Sequence, residues 1–427
     1  MRDAIEQRLH EYGQEHLLAF WDQLDARQQA ALADEIRSVD LSLIARLYKD
    51  RDTCPHAEDV LRQATSPTAF RLDSAQNAFS CEQSRRCAIE ALRAGRLGVI
   101  LVAGGHGTRL GFDQPKGMYP IGPLSRKTLF QLHVEKIVAA ARRWGVRIPF
   151  YLMTSPATDE PTRAFFDKHD RFGLAEEDLW IFCQGTMPAV DAATGKILLA
   201  EPGHLALSPD GHGGMLAALA ASGALDDARQ RGVEQLFYFQ VDNPLVDIGG
   251  PEFVGYHLLS RSELSSQVVA KRDPFEAVGN VVSVDDHLHV IEYSDLPDDV
   301  AQRRGPDGSL AIWAGSIAVH VMDVAFLERM VQKADSLPFH CATKTVAHVD
   351  AQGRPIEPTE SNAIKFERFI FDLLPSAERA IVVEVDRNEA FAPLKNASGE
   401  RADTPETVRA RMISQHAAWL RRAGAEL

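Results

Sequence analysis

The chain has 427 residues, and its 46 Lys and Arg stand against 60 Asp and Glu, for a formal net charge of −14. That acid excess disfavours nucleic acid as a bulk partner, because affinity for a phosphate backbone rests on surplus Lys and Arg. A content of 45% hydrophobic and 25% charged residues is ordinary for a globular protein, and the length predicts two or three structural units.

The opening stretch, MRDAIEQRLHEYG, is charged and lacks the apolar core of a signal peptide. No apolar run reaches the roughly eighteen residues that span a bilayer. These features predict a cytoplasmic protein with no membrane partner. The five cysteines (Cys54, Cys81, Cys87, Cys183 and Cys341) include no C-x-x-C, and their odd number predicts free thiols in a reducing compartment. The histidines show no metal-ligand spacing.

Residues 1–95 place Leu9, Phe20, Trp21, Leu24 and Leu32 at helical spacing among polar residues, which predicts a helical packing unit without chemistry of its own. From residue 96 to 345 apolar strand-like runs alternate with amphipathic helical stretches. The strands are read at 97–102, 148–153, 179–182, 236–241, 267–270 and 311–319, and the helices at 128–144, 158–169, 214–222 and 251–259. Such alternation predicts an α/β domain whose mostly parallel sheet carries helices on both faces. Residues 281–294 alternate on both sides of Asp285-Asp286 and read as a β-hairpin. Residues 346–427 form a small α+β C-terminal region. In it, FERFIFDLL reads as a buried helix, AIVVEVDR as a strand, and Thr404-Pro405-Glu406 as the start of a terminal helix.

One loop carries chemistry on its face. The run ending at Val102 stops at Gly104-Gly105, and Gly107 and Gly111 follow, with Arg109 among them and Pro115-Lys116-Gly117 just beyond. In an open α/β sheet, ligands bind past the carboxyl ends of the strands. Bare backbone there lets N–H groups close on an anion, and Arg109 and Lys116 add charge-assisted bonds. The spacing excludes two common phosphate loops. G-x-G-x-x-G fails because Leu110 occupies the third glycine's place, and no Gly-Lys-Ser/Thr follows for a P-loop. A dinucleotide-dependent oxidoreductase is thereby disfavoured.

The pattern AGG-x-GTRLG…PKG resembles the signature loop of sugar nucleotidyltransferases. The form AGGHGTRLGFDQPKGMY resembles the eukaryotic-type UDP-N-acetylhexosamine pyrophosphorylases, of the UDP-sugar pyrophosphorylase family. FCQGTMPAV, LSPDGHGGMLAAL, VDNPLVDI, EAVGNVVSVDD, VIEYSDL, AGSIAVH, NAIKFERFIFDLL and FAPLKNASG follow in that family's order, over roughly residues 95–420. The resemblance implies a Rossmann-like fold of the nucleotide-diphospho-sugar transferase type. It implies transfer of a uridylyl group from UTP to a sugar 1-phosphate, giving a UDP-sugar and pyrophosphate, with Mg²⁺ as cofactor. A non-catalytic sugar-nucleotide sensor is disfavoured because Arg109, Lys116, Asp242 and Lys395 are all retained.

Residue by residue, the resemblance implies that the backbone of Ala103, Gly104, Gly105 and Gly107 holds the nucleotide, with Arg109 and Lys116 on the triphosphate. Gln184 and Gly185 take the uracil edge, where an amide offers both donor and acceptor, and Gly211 lies against the uridine. Asp242, at the end of a strongly apolar strand, is the magnesium ligand. Lys344 and Lys395 neutralise the α-phosphate and the sugar phosphate, while Lys365 is structural. Gly279 and Glu292 face the sugar. Two places depart from the family's PDGNGG and NAGN: His212 stands in the first, and Trp313-Ala314-Gly315-Ser316 fills the second. His212 and Trp313 are therefore sugar-side candidates that bear on the acceptor. N-acetylglucosamine 1-phosphate comes first, and glucose or galactose 1-phosphate is the alternative.

Overall fold

The computed structural model describes residues 2–51, 58–72, 75–333 and 336–426; Cys54 lies outside them. The chain divides into two compact units, and neither is continuous in sequence. The first comprises residues 1–57, 185–214 and 337–370; the second comprises 58–184, 215–336 and 371–427. The linear boundaries expected at 95 and 345 do not coincide with this division.

The second unit is built on a sheet that is ten-stranded among the described residues. Its strands are β1 (Ala69–Phe70), β2 (Leu97–Val102), β3 (Phe150–Thr154), β4 (Leu179–Cys183), β5 (Gln235–Gln240), β6 (Leu264–Ala270), the hairpin β7 (Asn280–Val284) and β8 (His287–Ile291), β9 (Ala314–Asp323) and β10 (Ala380–Glu384). The spatial order is β1-β10-β6-β9-β5-β2-β3-β4, with the hairpin paired beside β9. Neighbours in that order run parallel except where β9 lies antiparallel between β5 and β6, and the hairpin strand β7 is antiparallel to both β8 and β9. The central strands are buried end to end, as in Phe150–Thr154, because helices cover both faces. Val99, Leu101, Phe150, Phe237 and Phe239 meet Phe130, Val134 and Ile137 of the helix Leu129–Trp144 in one core. That helix starts on the Thr128 side chain, which accepts from the Gln131 amide, and stops at Gly145 in the left-handed conformation.

His257 is fully buried, bonded to Ser265 at 2.7 Å and to Asp323 at 3.0 Å, and so ties the helix Pro251–Leu259 to β6 and β9. Strand β9 bulges at Ala318, whose φ is +55°, and its register on β6 shifts between Ser266 and Val268. This bulge turns the outer half of β9, which carries Ser316.

In the first unit, the helices Ala26–Ser38 and Leu41–Lys49 begin on Asp25 and Asp40 caps. Leu9, Leu17, Leu32, Ile36 and Ile44 pack on Val190, Ile197, Leu205, Ile364 and Phe366. The expected helix over FERFIFDLL is instead the strand Ala363–Glu367 followed by a 3-10 turn, Ile370–Ser376. The strand finds partners on both sides, His340–Lys344 and Val190–Asp191, and Pro375 prevents a regular helix beyond it. The terminal helix Pro405–Arg422 forms as expected on its Thr404 cap. Among the described residues no helix is long and apolar enough to cross a membrane.

At the hairpin tip both Asp285 and Asp286 are left-handed, with φ of +49° and +64°. Two-residue turns of this hand prefer glycine at the second position. Asp286→Gly is expected to raise stability by about 0.5–1 kcal/mol, read from the urea midpoint.

Candidate active site

In the second unit the glycine loop leaves β2 at its carboxyl end. The amide of Ala103 donates to the Met153 carbonyl at 2.8 Å, and the amide of Lys116 donates to the Gly105 carbonyl at 3.0 Å, which closes the loop on itself. Ser155 Oγ donates to the Gly104 carbonyl at 2.8 Å. A Cβ on Gly104 would stand 3.1 Å from the side-chain nitrogen of buried Gln184, so that amide lies on the loop's backbone. Gly105 has a negative φ, and a Cβ there would meet nothing within 4 Å among the described residues, so neither strain nor crowding demands glycine. Its bareness leaves the main chain open to approach. Arg109 is exposed on the turn Thr108–Leu110, and Lys116 is half-buried.

Lys116 Nζ donates to the Leu394 carbonyl at 3.4 Å, and the Leu394 amide donates to the Asp242 carbonyl at 2.8 Å. Lys395 follows Leu394, and its amide donates to the Asp403 carbonyl at 2.9 Å. Three residues distant in sequence, Lys116, Asp242 and Lys395, thus meet around one backbone junction. Burial raises the Asp403 carboxyl above the usual range, against the opposing pull of Lys395 and Arg272, while the negative charges of Asp242 and Glu276 push the same way as burial. Arg387 and Glu276 pair at 2.8 Å beside this cluster.

The loop that carries Asp242 is held from behind. His133 is fully buried and bonds the Val241 carbonyl through Nε2 at 3.0 Å, while Lys136 Nζ donates to the carbonyls of Pro244 and Val246. Asn243 accepts from the amides of Leu245 and Ala392 and donates to the Ala390 carbonyl.

Gly279 lies against Val290, and a Cβ there would stand 3.8 Å from both Glu292 Oε1 and Ser316 Cβ. The Ser316 amide donates to the Gly279 carbonyl at 2.8 Å. Trp313 does not join them. Its indole N–H donates to Ser66 Oγ at 2.9 Å, the Arg71 guanidinium covers its ring at 3.6 Å, and the residue is buried. The tryptophan expected on the sugar side thus has its indole N–H and one ring face engaged by Ser66 and Arg71, and Ser316 shares the Gly279–Glu292 neighbourhood.

In the first unit, Gly185 and the loop Asp210–Gly214 come together: the Asp210 amide donates to the Gly185 carbonyl at 3.2 Å. Gly211, with φ +82°, runs so close to Arg368 that a Cβ would stand 2.4 Å from its carbonyl oxygen. His212 Nδ1 accepts from the Ile370 amide at 3.2 Å and stacks on Phe369. Burial pushes the His212 ring down to about 4, with His340 adding to the effect. Lys344 ends the strand His340–Lys344 on an exposed position, and Lys365 lies on the paired strand.

The sequence reading missed the buried pair beneath this loop, in which Arg368 Nη2 donates to Asp210 Oδ2. It also missed His133, Lys136 and Asn243. Asp210 and Arg368 both lie inside motifs quoted for the family, so the signal was present but unread. Asn243 likewise lies inside the quoted VDNPLVDI, whereas His133 and Lys136 carry no chemistry-bearing pattern of their own.

A family model described as UTP--glucose-1-phosphate uridylyltransferase matches residues 62–423. The chain is 38% identical over 436 residues to the UDP-N-acetylhexosamine pyrophosphorylase-like protein 1 of Homo sapiens, covering 99% of this chain and 86% of that one. It is 35% identical over 433 residues to the UDP-N-acetylglucosamine pyrophosphorylase of Saccharomyces cerevisiae, covering 97% and 90%. Among solved structures it resembles the uridine diphosphate N-acetylglucosamine pyrophosphorylase of Trypanosoma brucei in complex with an inhibitor. The TM-score is 0.82 at 28% identity, with 98% of this chain and 85% of that chain covered.

His133 sets an acid limit on this arrangement. Burial pushes its ring down to about 3, and among the described residues Nδ1 has no partner, so a second proton would be buried unpaired. A histidine depressed in the folded state leaves stability intact above its unfolded value near 6.5, and the loss grows as pH falls towards about 3. The expected slope for this one group is about 1.4 kcal/mol per pH unit in that window. Urea unfolding between pH 7.5 and 5 is expected to show it in the native chain and to lose this component in His133→Gln.

Proposed function

The chain belongs to the UTP--glucose-1-phosphate uridylyltransferase family, and we propose that it makes UDP-N-acetylglucosamine and pyrophosphate from UTP and N-acetylglucosamine 1-phosphate. The observation that carries this reading is the junction at Leu394, where the Lys116 ammonium, the Asp242 strand end and the Lys395 segment meet. A phosphate oxygen of the sugar 1-phosphate bonds to the α-phosphorus of UTP, the bond from that phosphorus to the bridging oxygen breaks, and pyrophosphate departs. The nucleophile is already an anion, so the protein's task is positioning and charge neutralisation. No side-chain nucleophile is required.

In this reading the backbone of Ala103, Gly104, Gly105 and Gly107 receives the triphosphate, and Arg109 and Lys116 neutralise the departing pyrophosphate. Gln184, Gly185 and Gly211 hold the uridine. Lys395 and Lys344 offset charge on the sugar phosphate and the α-phosphate. Gly279, Glu292 and His212 bound the sugar.

The donor chemistry suits Mg²⁺ that arrives on the nucleotide. Asp242 offers a half-buried carboxylate at the strand end, and no group of three His, Cys, Asp or Glu side chains that could hold a metal occurs among the described residues. Mg²⁺ binds hard oxygens, keeps several waters, and commonly takes one or two carboxylates alongside substrate phosphates. Asp242 would hold it, and the ion would neutralise phosphate charge.

A second acceptor is favoured by one observation. Ser316, beside Gly279 and Glu292, is a short hydroxyl where the resembling sequences carry an amide, so glucose or galactose 1-phosphate is the alternative substrate. A site built to pair a substrate amide discriminates strongly when that pairing changes.

The test is incubation with UTP, Mg²⁺ and a panel of sugar 1-phosphates, with UDP-sugar and pyrophosphate measured. Product from N-acetylglucosamine 1-phosphate is expected. Product from glucose or galactose 1-phosphate alone would promote the alternative, and no product from any hexose phosphate would sink both. Asp242→Ala and Lys116→Ala are expected to lower kcat at least about 100-fold with little change in Tm. Ser316→Asn is expected to move the kcat/KM ratio towards the N-acetyl sugar by about tenfold.

A further inference from the structure

Asn243 makes more hydrogen bonds to main chain than any local turn requires. It is 3% exposed, follows Asp242 directly, and uses both ends of its amide. Oδ1 accepts from its own loop, the Leu245 amide at 3.2 Å, and also from the Ala392 amide at 3.1 Å. Nδ2 donates to the Ala390 carbonyl at 2.8 Å. The side chain therefore engages the segment 390–392 as a neighbouring strand would, taking one amide and giving to one carbonyl. The next link is main chain to main chain, from the Leu394 amide to the Asp242 carbonyl. The far side of the same segment is braced by Gln415 of the terminal helix, which donates to the carbonyls of Glu389 and Leu245.

We propose that Asn243 is a positioning residue, whose side chain sets the register of the segment 390–395 and with it the placing of Lys395 relative to Asp242 and Lys116. Asn243 has no role in contacting substrate here; it acts through the two residues on either side of the junction. An amide suits the contact because it places an acceptor for Ala392 and a donor for Ala390 on separate atoms of one short side chain, with a reach that a serine hydroxyl lacks. A one-residue slip of the segment would carry Lys395 away and replace it with Leu394 or Asn396. This inference rests on the uridylyl-transfer reading for its functional consequence, while the register clamp itself is a matter of hydrogen bonding alone.

The test combines hydrogen exchange with a double-mutant cycle on the full chain. Asn243→Ala removes all three bonds. Asn243→Ser keeps a hydroxyl able to accept locally from the Leu245 amide but too short for Ala390 and Ala392. Both variants are expected to speed amide exchange at Ala392 and Leu394, and unchanged exchange there would overturn the clamp whatever the activity. Both are expected to lower kcat by about 10- to 100-fold with KM for UTP altered less than about threefold. In a Lys395→Ala background the further loss from Asn243→Ser should shrink to about threefold or less, because the residue to be positioned is gone. Equal losses in both backgrounds would mean that Asn243 only supports the fold. A native chain that turns over no sugar phosphate would overturn the positioning role through failure of the functional reading, while the exchange measurement still reports the clamp separately.

Discussion

The constraint on which the site depends is the need to satisfy the main chain where it leaves β5. A strand inside a sheet has its amides and carbonyls paired by neighbours, but the loop that follows loses them at once. Buried backbone groups left unpaired cost as much as lost hydrogen bonds. Here the carbonyls of Val241, Asp242, Pro244 and Val246 are claimed by His133, the Leu394 amide and Lys136. The loop is thus tied to the helix Leu129–Trp144 on one side and to a segment 149 residues later on the other. The same bonds that satisfy it bring Lys116, Asp242 and Lys395 to one point.

The first unit meets a comparable demand by different means. Its loop Asp210–Gly214 turns tightly against Arg368, and only glycine tolerates that approach at Gly211. The charge of Asp210 is taken out of water beneath the loop and matched by Arg368, whose guanidinium also lies over the Phe339 ring at 4.8 Å. A buried carboxylate is tolerable when so paired, and breaking one partner is costly. Each unit therefore positions one of its loops by a polar contact to a segment far along the chain, rather than by packing alone.

Legibility in the sequence followed locality. The strands around Val99, Phe150 and Phe237 were readable because a fully buried strand is a short apolar run ended by turn residues, and the helix Leu129–Trp144 because its apolar residues repeat at helical spacing. The hairpin at Asp285-Asp286 was readable from alternation on both sides of a turn pair. FERFIFDLL was misread since a short apolar run serves a buried strand or a buried helix equally; the arbiter was pairing with His340–Lys344, which no local pattern reveals. The surroundings of Trp313 were illegible for a related reason. The bulge at Ala318 and the Arg71 side chain settle what lies around Trp313 and Ser316, and neither is visible in the residues between them.

By itself the sequence determined the alternating α/β plan, the glycine-rich loop after β2 with its two cations, and the family. Those follow from residue types and short spacings, which act within one or two turns of chain. Only the tertiary structure decided that Asp242 and Lys395 share a junction with Lys116, that Ser316 and not Trp313 stands by Gly279 and Glu292, and that residues 337–370 belong with the N-terminal helices. These are meetings of distant segments. They are set by strand pairing and by side-chain amides such as Asn243 that bond to remote backbone, and the pattern along the chain carries no record of which partner is chosen.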